Sequence, residues 1–329
     1  MIIDYTDLND PSSQLQNKIL KAFGTQESLG VILIRGIPEY AAQRRRLLIL
    51  ASRFAELDEA VKAKYEHLPS SFLFGWSHGK ESMNGSLDLA KGSFYNNPTL
   101  DDPQQTEDYM KKHPEYGFPN VWPEELPEFR DAFTSLGRLI SETGLKLAHH
   151  CDCHLSKKIS DYPHNFLENA ISDSKTCKAR LLHYFPTEES NQSKVDSWCG
   201  LHVDHSLLTG LTSAMYMDEE SGVGQPMKND DARFFEHSLQ DAGLYIKDRH
   251  GKMVKVNIPV DCLAFQLGEA AQVASRGNLL ATPHLVKSAS VPNVSRNTFA
   301  VFLQPNVDHH LVNGLTFDDF TKQVMNRHY

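Results

Sequence analysis

Gly200-Leu201-His202-Val203-Asp204-His205-Ser206-Leu207-Leu208-Thr209 runs from the His202-x-Asp204 pair into strand-forming residues. On a strand, successive side chains alternate between faces, so His202 and Asp204, two apart, point the same way and can share one cation. With 16 histidines and 42 acidic residues in 329 positions, His-x-acid triplets also arise by chance. Two others occur, His150-Cys151-Asp152 and His113-Pro114-Glu115. The first falls at the end of a helical pattern, where positions two apart lie about 200° around the axis. The second lies among Pro and Gly residues that fix no common face. The 202–204 pair leads into a long run of strand character, 207–216, and this context sets it apart.

Outward from that stretch, the C-terminal half reads as short strands separated by turn residues: 180–184, 207–216, 243–246, 253–258, 263–267 and 298–303. Such spacing argues for an antiparallel barrel or sandwich. Two His and one carboxylate form a facial arrangement that leaves positions open on a metal such as Fe(II), so a third ligand is sought downstream. Thr282-Pro283-His284 offers His284 at the start of an apolar run. Arg296-Asn297-Thr298 then opens the strand 298–303. An Arg and a hydroxyl two apart on one strand face can grip a single carboxylate, the Arg through its planar fork.

The N-terminal half is richer in helix. Asp10-Pro11-Ser12 opens a helix toward Phe23, and Gly30–Ile37 (GVILIRGI) is a β-branched run bounded by Gly and Pro38. Residues 40–65 turn helical, with Leu47, Leu50, Phe54, Leu57 and Val61 on one face, and Arg44, Arg45 and Arg46 read as a solvated face. Residues 69–127 are rich in Gly, Pro, Asn and Ser and read as loops, a natural place for substrate contacts from Phe74, Trp76, Lys91 and Phe94. Residues 127–149 form an amphipathic helix through Phe129, Phe133, Leu136, Ile140 and Leu147.

Composition bounds the rest. A hydrophobic fraction of 40% and charged fraction of 23% are those of a globular protein and exclude disorder and coiled coil. A net charge of -9 disfavours nucleic-acid binding, which gains from phosphate counterion release. Five cysteines and an N-terminus without a basic and apolar leader suggest a reduced, cytoplasmic protein, and no apolar run is long enough to span a membrane. His149-His150-Cys151-Asp152-Cys153-His154 is dense in ligand types, yet structural zinc sites combine two separated pairs and no second pair is evident, so it reads as a helix C-terminus. His309-His310 reads as solvated.

The ordered set His202-x-Asp204, His284, Arg296-x-Thr298 resembles the Fe(II)/2-oxoglutarate-dependent dioxygenases, in the branch similar to isopenicillin N synthase. The resemblance extends to 200–209, to Gly243-Leu244-Tyr245, to Arg180-Leu181-Leu182-His183-Tyr184 and, near the N-terminus, to Ile3-Asp4, Arg35-Gly36-Ile37 and Lys64-Tyr65-Glu66, thus nearly the whole chain. It implies a mainly β fold with flanking α: a double-stranded β-helix (jelly-roll) core over 126–329, wrapped by a helix-rich region over 1–125 in one compact unit. It further implies that His202, Asp204 and His284 hold Fe(II), and that Arg296 and Thr298, assisted by Tyr184, bind the distal carboxylate of 2-oxoglutarate. The implied reaction uses O2 to oxidise a small organic molecule, by hydroxylation or desaturation, with succinate and CO2 as co-products. A monomer is expected.

The sequence departs from the branch in places. Thr298 stands where Ser is usual, Phe185 replaces the Pro that normally follows Tyr184, and Asp204 and His284 are far apart, with 218–241 read as an insertion serving either as a lid or as a surface loop. His183, by strand alternation, points away from Tyr184. Three rival readings stay open: an iron oxidase independent of 2-oxoglutarate, a hydrolase using another divalent metal, and a non-catalytic ligand-binding protein.

Overall fold

In the computed structural model, which describes residues 1–80, 82–83, 86–186, 199–219, 241–288 and 293–328, the run Val31–Arg35 is a strand in which only Arg35 is exposed. Burial on both sides is what a near-continuous β-branched run demands, and the strand accordingly lies inside a large sheet covered on both faces. The order across this nine-stranded sheet is Ile2–Asp4, Val31–Arg35, Cys262–Leu267, Leu208–Thr212, Val294–Leu303, Lys178–Tyr184, Lys91–Asn96 and Gly75–His78, with Met215–Asp218 also beside Val294–Leu303. The Ile2–Asp4 pairing is parallel; the others are antiparallel. A smaller antiparallel sheet runs Met253–Lys255, Gly243–Lys247, His284–Lys287, Cys199–His202.

One face of the large sheet packs on the helices Tyr40–Ala55 and Phe129–Leu155, through a core that includes Phe54, Phe133, Leu136, Ile140, Phe265 and Phe299. The approach is close because glycine lines it. A Cβ on Gly144 of the long helix would fall 2.2 Å from Leu303, and one on Gly210 of the sheet 2.3 Å from Ile140. The other face turns toward the small sheet, where Leu182, Tyr184, Tyr216 and Ala300 meet Leu244 and Val286. Between the two sheets is the cavity described below.

Three sequence expectations need correction. Residues 69–127 are not merely loops over a scaffold: Gly75–His78 and Lys91–Asn96 extend the large sheet, and every residue of the latter is buried. The helical stretch 40–65 ends at Ala55 and resumes as the short Glu59–Lys62 and a 3-10 turn Ala63–Tyr65. Arg44 is fully buried rather than solvated, its Nε donating to the Ser213 carbonyl at 2.9 Å and its Nη2 to the Ala214 carbonyl at 2.7 Å. Arg45 and Arg46 are exposed as expected. Removing a buried cation that satisfies two buried acceptors leaves both carbonyls stranded. Arg44→Met is therefore expected to lower unfolding stability by about 3 kcal/mol, read by urea denaturation.

The long helix also extends further than the sequence pattern, to Leu155, and absorbs the His149–His154 cluster. His150 Nε2 lies 3.0 Å from the Leu8 carbonyl, His149 pairs with Glu168, and Asp152 accepts from Tyr162 and from the main-chain N–H of Leu167 and Glu168. These groups thus tie the helix to its neighbours. His309 is half-buried against Phe166, while His310 is exposed. Residues 220–240 of the 218–241 insertion lie outside the described residues. No helix among the described residues is long and apolar enough to cross a membrane.

Candidate metal centre and anion site

His202 closes the strand Cys199–His202 and His284 opens His284–Lys287; in the antiparallel register they face each other directly. Their ring centroids are 4.3 Å apart. Asp204 is not on that strand, which ends at His202. Two residues past the strand, the buried carboxylate lies with Oδ1 3.7 Å from His202 Nε2 and 3.9 Å from His284 Nε2. The Asp204 main chain is held where the Glu269 N–H donates to its carbonyl at 2.7 Å. His202 and Asp204, two apart, thus present their ligand atoms toward one point although only His202 lies within the strand. Ligand atoms of the three residues all lie within 4.8 Å of one another, and among the described residues no other group of His, Cys, Asp or Glu does so.

The electrostatics of the metal-free site favour the ligand form at Asp204 and His284 and the protonated form at His202. Burial pushes the Asp204 carboxyl up, but the His284 and His202 imidazoles outweigh it and hold the group below its ordinary range. Burial pushes His284 down, toward the neutral imidazole that a metal ligand must be. His202 keeps 42% of its side-chain surface exposed. Burial lowers it as well, yet the Cys199 thiol, Asp204 and the Gly200 carbonyl together raise it. Its Nδ1 donates to the Gly200 carbonyl at 2.8 Å, which turns Nε2 toward Asp204 and His284. Such an outer hydrogen bond fixes both tautomer and ring orientation.

Val294–Leu303 supplies the second half of the site. Arg296, Thr298, Ala300 and Phe302 line the cavity together with the triad. The alternate residue Asn297 faces the helices, donating to the Leu48 carbonyl and Ser52 Oγ, with its Oδ1 2.8 Å from His183 Nδ1. His183 thus points away from the cavity, as alternation requires, while its neighbour Tyr184 lines it. Arg296 is 5% exposed, its guanidinium carbon 4.9 Å from the Tyr184 ring centroid. Its Nε and Nη1 are buried without a hydrogen-bond partner. Thr298 Oγ1 lies 3.3 Å from the Thr212 carbonyl. A buried guanidinium with unmet donors is costly to maintain unless something anionic meets it.

His183 carries a pH signature. Burial pushes it down to about 4, against the Asn297 hydrogen bond. In the unfolded chain it titrates near about 6.5. The folded state is therefore fully favoured above that value, and about 3 kcal/mol of stability is lost as pH falls through about 4. His183→Gln is expected to flatten the stability profile between those limits, as followed by denaturant unfolding at a series of pH values.

The substrate residues expected from 69–120 do not line this cavity. Phe74, Trp76 and Phe94 are buried, Trp76 and Phe94 in an aromatic cluster with Phe54, and Lys91 is buried beside Asp88. The apolar wall comes from strand residues instead, among them Leu182, Leu211, Leu244 and Val286, with Arg180 at the same wall. Two groups escaped sequence reading. Tyr216 stands directly opposite Arg296 in the antiparallel register, and Cys199 Sγ is 3.7 Å from His202 Nδ1. Only the cross-strand register reveals the first, since nothing near Tyr216 in sequence marks it.

No family model and no curated protein matches the chain. Solved structures do. A Caulobacter crescentus protein assigned to the 2OG-Fe(II) oxygenase family is 20% identical, with a TM-score of 0.73 over 99% of this chain and 98% of that one. A full-length Neurospora crassa protein, solved with alpha-KG and thymine, is 17% identical, with a TM-score of 0.71 over 100% and 96%. JOX2, solved with 2OG, Fe and JA, is 16% identical, with a TM-score of 0.64 over 98% and 84%. The chain has the fold of these oxygenases.

Proposed function

We propose that this protein is a non-haem Fe(II)- and 2-oxoglutarate-dependent dioxygenase that hydroxylates or desaturates a small organic molecule, releasing succinate and CO2. The observation that carries this reading is one cavity holding both the His202, Asp204 and His284 cluster and the buried, unpartnered donors of Arg296. In this reading the two facing sheets are a double-stranded β-helix, and regions 1–125 and 126–329 form one unit, supported by the pairing of Val31–Arg35 with Cys262–Leu267 and of Lys91–Asn96 with Lys178–Tyr184. The protein acts as a monomer in the cytoplasm, the compartment being supported by its five free thiols.

The residues present fit the cofactors. Two imidazoles and one carboxylate, clustered on one side, are the donor set of a facial triad with open positions. Fe(II) bound there would supply redox chemistry toward O2 at a site that also accepts a chelating oxo acid. His202, Asp204 and His284 would hold the metal, with the Asp204 carboxylate offsetting part of its charge. Arg296 would bind the distal carboxylate of 2-oxoglutarate through donors that no protein group uses. Tyr184 and Thr298 would orient that carboxylate, one from the neighbouring strand and one from the same strand face. Leu182, Leu211, Leu244, Val286 and Phe302 would exclude water and receive the apolar part of the substrate.

The Neurospora crassa protein and JOX2 were each solved with an oxo acid and a small organic molecule, and this chain's cavity suits the same kind of occupancy. The oxidase and hydrolase readings give Arg296 no partner. The test is succinate formation from 2-oxoglutarate under O2: it should require Fe(II) and vanish in Asp204→Ala. Oxygen consumption that requires Fe(II) but not 2-oxoglutarate would favour the oxidase reading instead.

A further inference from the structure

We infer that Tyr216 is a second phenol at the anion site, so that the carboxylate held by Arg296 is gripped from both flanking strands and the closed end of the cavity selects the length of the oxo acid. The inference rests on the function proposed above and adds a residue to it.

Val294–Leu303 is bordered near its start by two strands. Arg296 pairs with Tyr184 on Lys178–Tyr184 and with Tyr216 on Met215–Asp218. Directly opposed residues on antiparallel strands carry side chains on the same face, about 5 Å apart at Cβ. Both tyrosines therefore stand on the cavity face on either side of the guanidinium, and both line the cavity. Tyr216 is 3% exposed. Burial raises its phenol, and the Arg296 charge and hydrogen bonding oppose that.

The far side of Tyr216 is shaped to match. A Cβ added at Gly243 on the small sheet would lie 3.6 Å from the Tyr216 hydroxyl, so the phenol spans the cavity to the opposite main chain. Ala242 and Lys255 line the cavity beside Gly243, with Lys255 Cε 3.9 Å from the same Cβ position. The arrangement is a three-sided end wall of Tyr184, Arg296 and Tyr216. A phenol O–H donates one hydrogen bond to a carboxylate oxygen, and a bond to a charged acceptor is among the stronger ones. Since the phenol reaches the opposite main chain at Gly243, it limits how far an acid gripped by Arg296 can extend on that side.

The experiment is anaerobic calorimetry of Fe(II)-loaded wild type, Tyr216→Phe and Tyr216→Ala with 2-oxoglutarate and with the one-carbon-longer 2-oxoadipate, alongside thermal melts without oxo acid. Tyr216→Phe should bind 2-oxoglutarate about tenfold more weakly, with bound iron and melting temperature unchanged. Tyr216→Ala should open the end wall and shift the affinity ratio toward 2-oxoadipate by at least about fivefold. A phenol that merely packed would weaken both acids equally, and only in proportion to lost stability; that result overturns the inference. So does a Tyr216→Phe affinity within twofold of wild type. If wild type itself does not bind 2-oxoglutarate, the proposed function fails and the inference with it, whereas wild-type binding with an unaffected Tyr216→Phe removes the inference alone.

Discussion

Asp204→Ala is expected to lose Fe(II) affinity by at least about 100-fold while the fold persists, as read by equilibrium dialysis with metal analysis beside a thermal melt. Removing even an outer-shell partner of a metal ligand lowers affinity by about 10–100-fold. Asp204 is the sole carboxylate of the cluster and lies within 4 Å of both imidazoles. Its loss also removes the charge that draws those imidazoles together. The local backbone should survive, because it is anchored by the main-chain bond between Glu269 and the residue 204 carbonyl. Stoichiometric iron in the variant would take Asp204 out of the metal site.

Arg296→Met should have two opposite effects. Affinity for 2-oxoglutarate should fall by about 2–3 kcal/mol, or roughly 30–150-fold, because a buried charge-assisted pair is gone. The ligand-free protein, however, should become no less stable and melt at an equal or higher temperature. In wild type Arg296 is 5% exposed with Nε and Nη1 unmet, and replacing a buried charge that lacks a counter-charge with an apolar chain of similar length relieves that desolvation. Wild type should therefore gain stability on adding 2-oxoglutarate, by mass action, and the variant should not. A destabilised ligand-free variant with unchanged 2-oxoglutarate affinity would make Arg296 a structural residue.

Local chemistry made much of the site legible. Each half of it depends on residues close in sequence: His202 with Asp204, and Arg296 with Thr298. Strand periodicity then told which neighbours face the cavity, and the structure places Tyr184 and His183 on opposite faces accordingly. What periodicity cannot supply is the pairing between distant strands. Tyr216 joins the site only through its register with Arg296, 80 positions away. Arg44 failed for the same reason, since its carbonyl partners lie about 170 positions along the chain. Lys91–Asn96 read as a loop because Lys, Gly, Ser and Asn are poor strand formers, and tertiary pairing with Lys178–Tyr184 overrode that preference. The strand ends at His202, short of the Asp204 that the sequence pairing places with it, yet the two side chains still converge.

The most direct test of the account is an anaerobic titration of Fe(II)-loaded protein with 2-oxoglutarate, followed in the visible region. Chelation of the iron by the oxo acid gives a metal-to-ligand charge-transfer band. The account predicts that the band grows to saturation at one equivalent in wild type, is lost in Asp204→Ala and requires far more 2-oxoglutarate in Arg296→Met. Wild-type protein that binds Fe(II) stoichiometrically yet develops no band would contradict it.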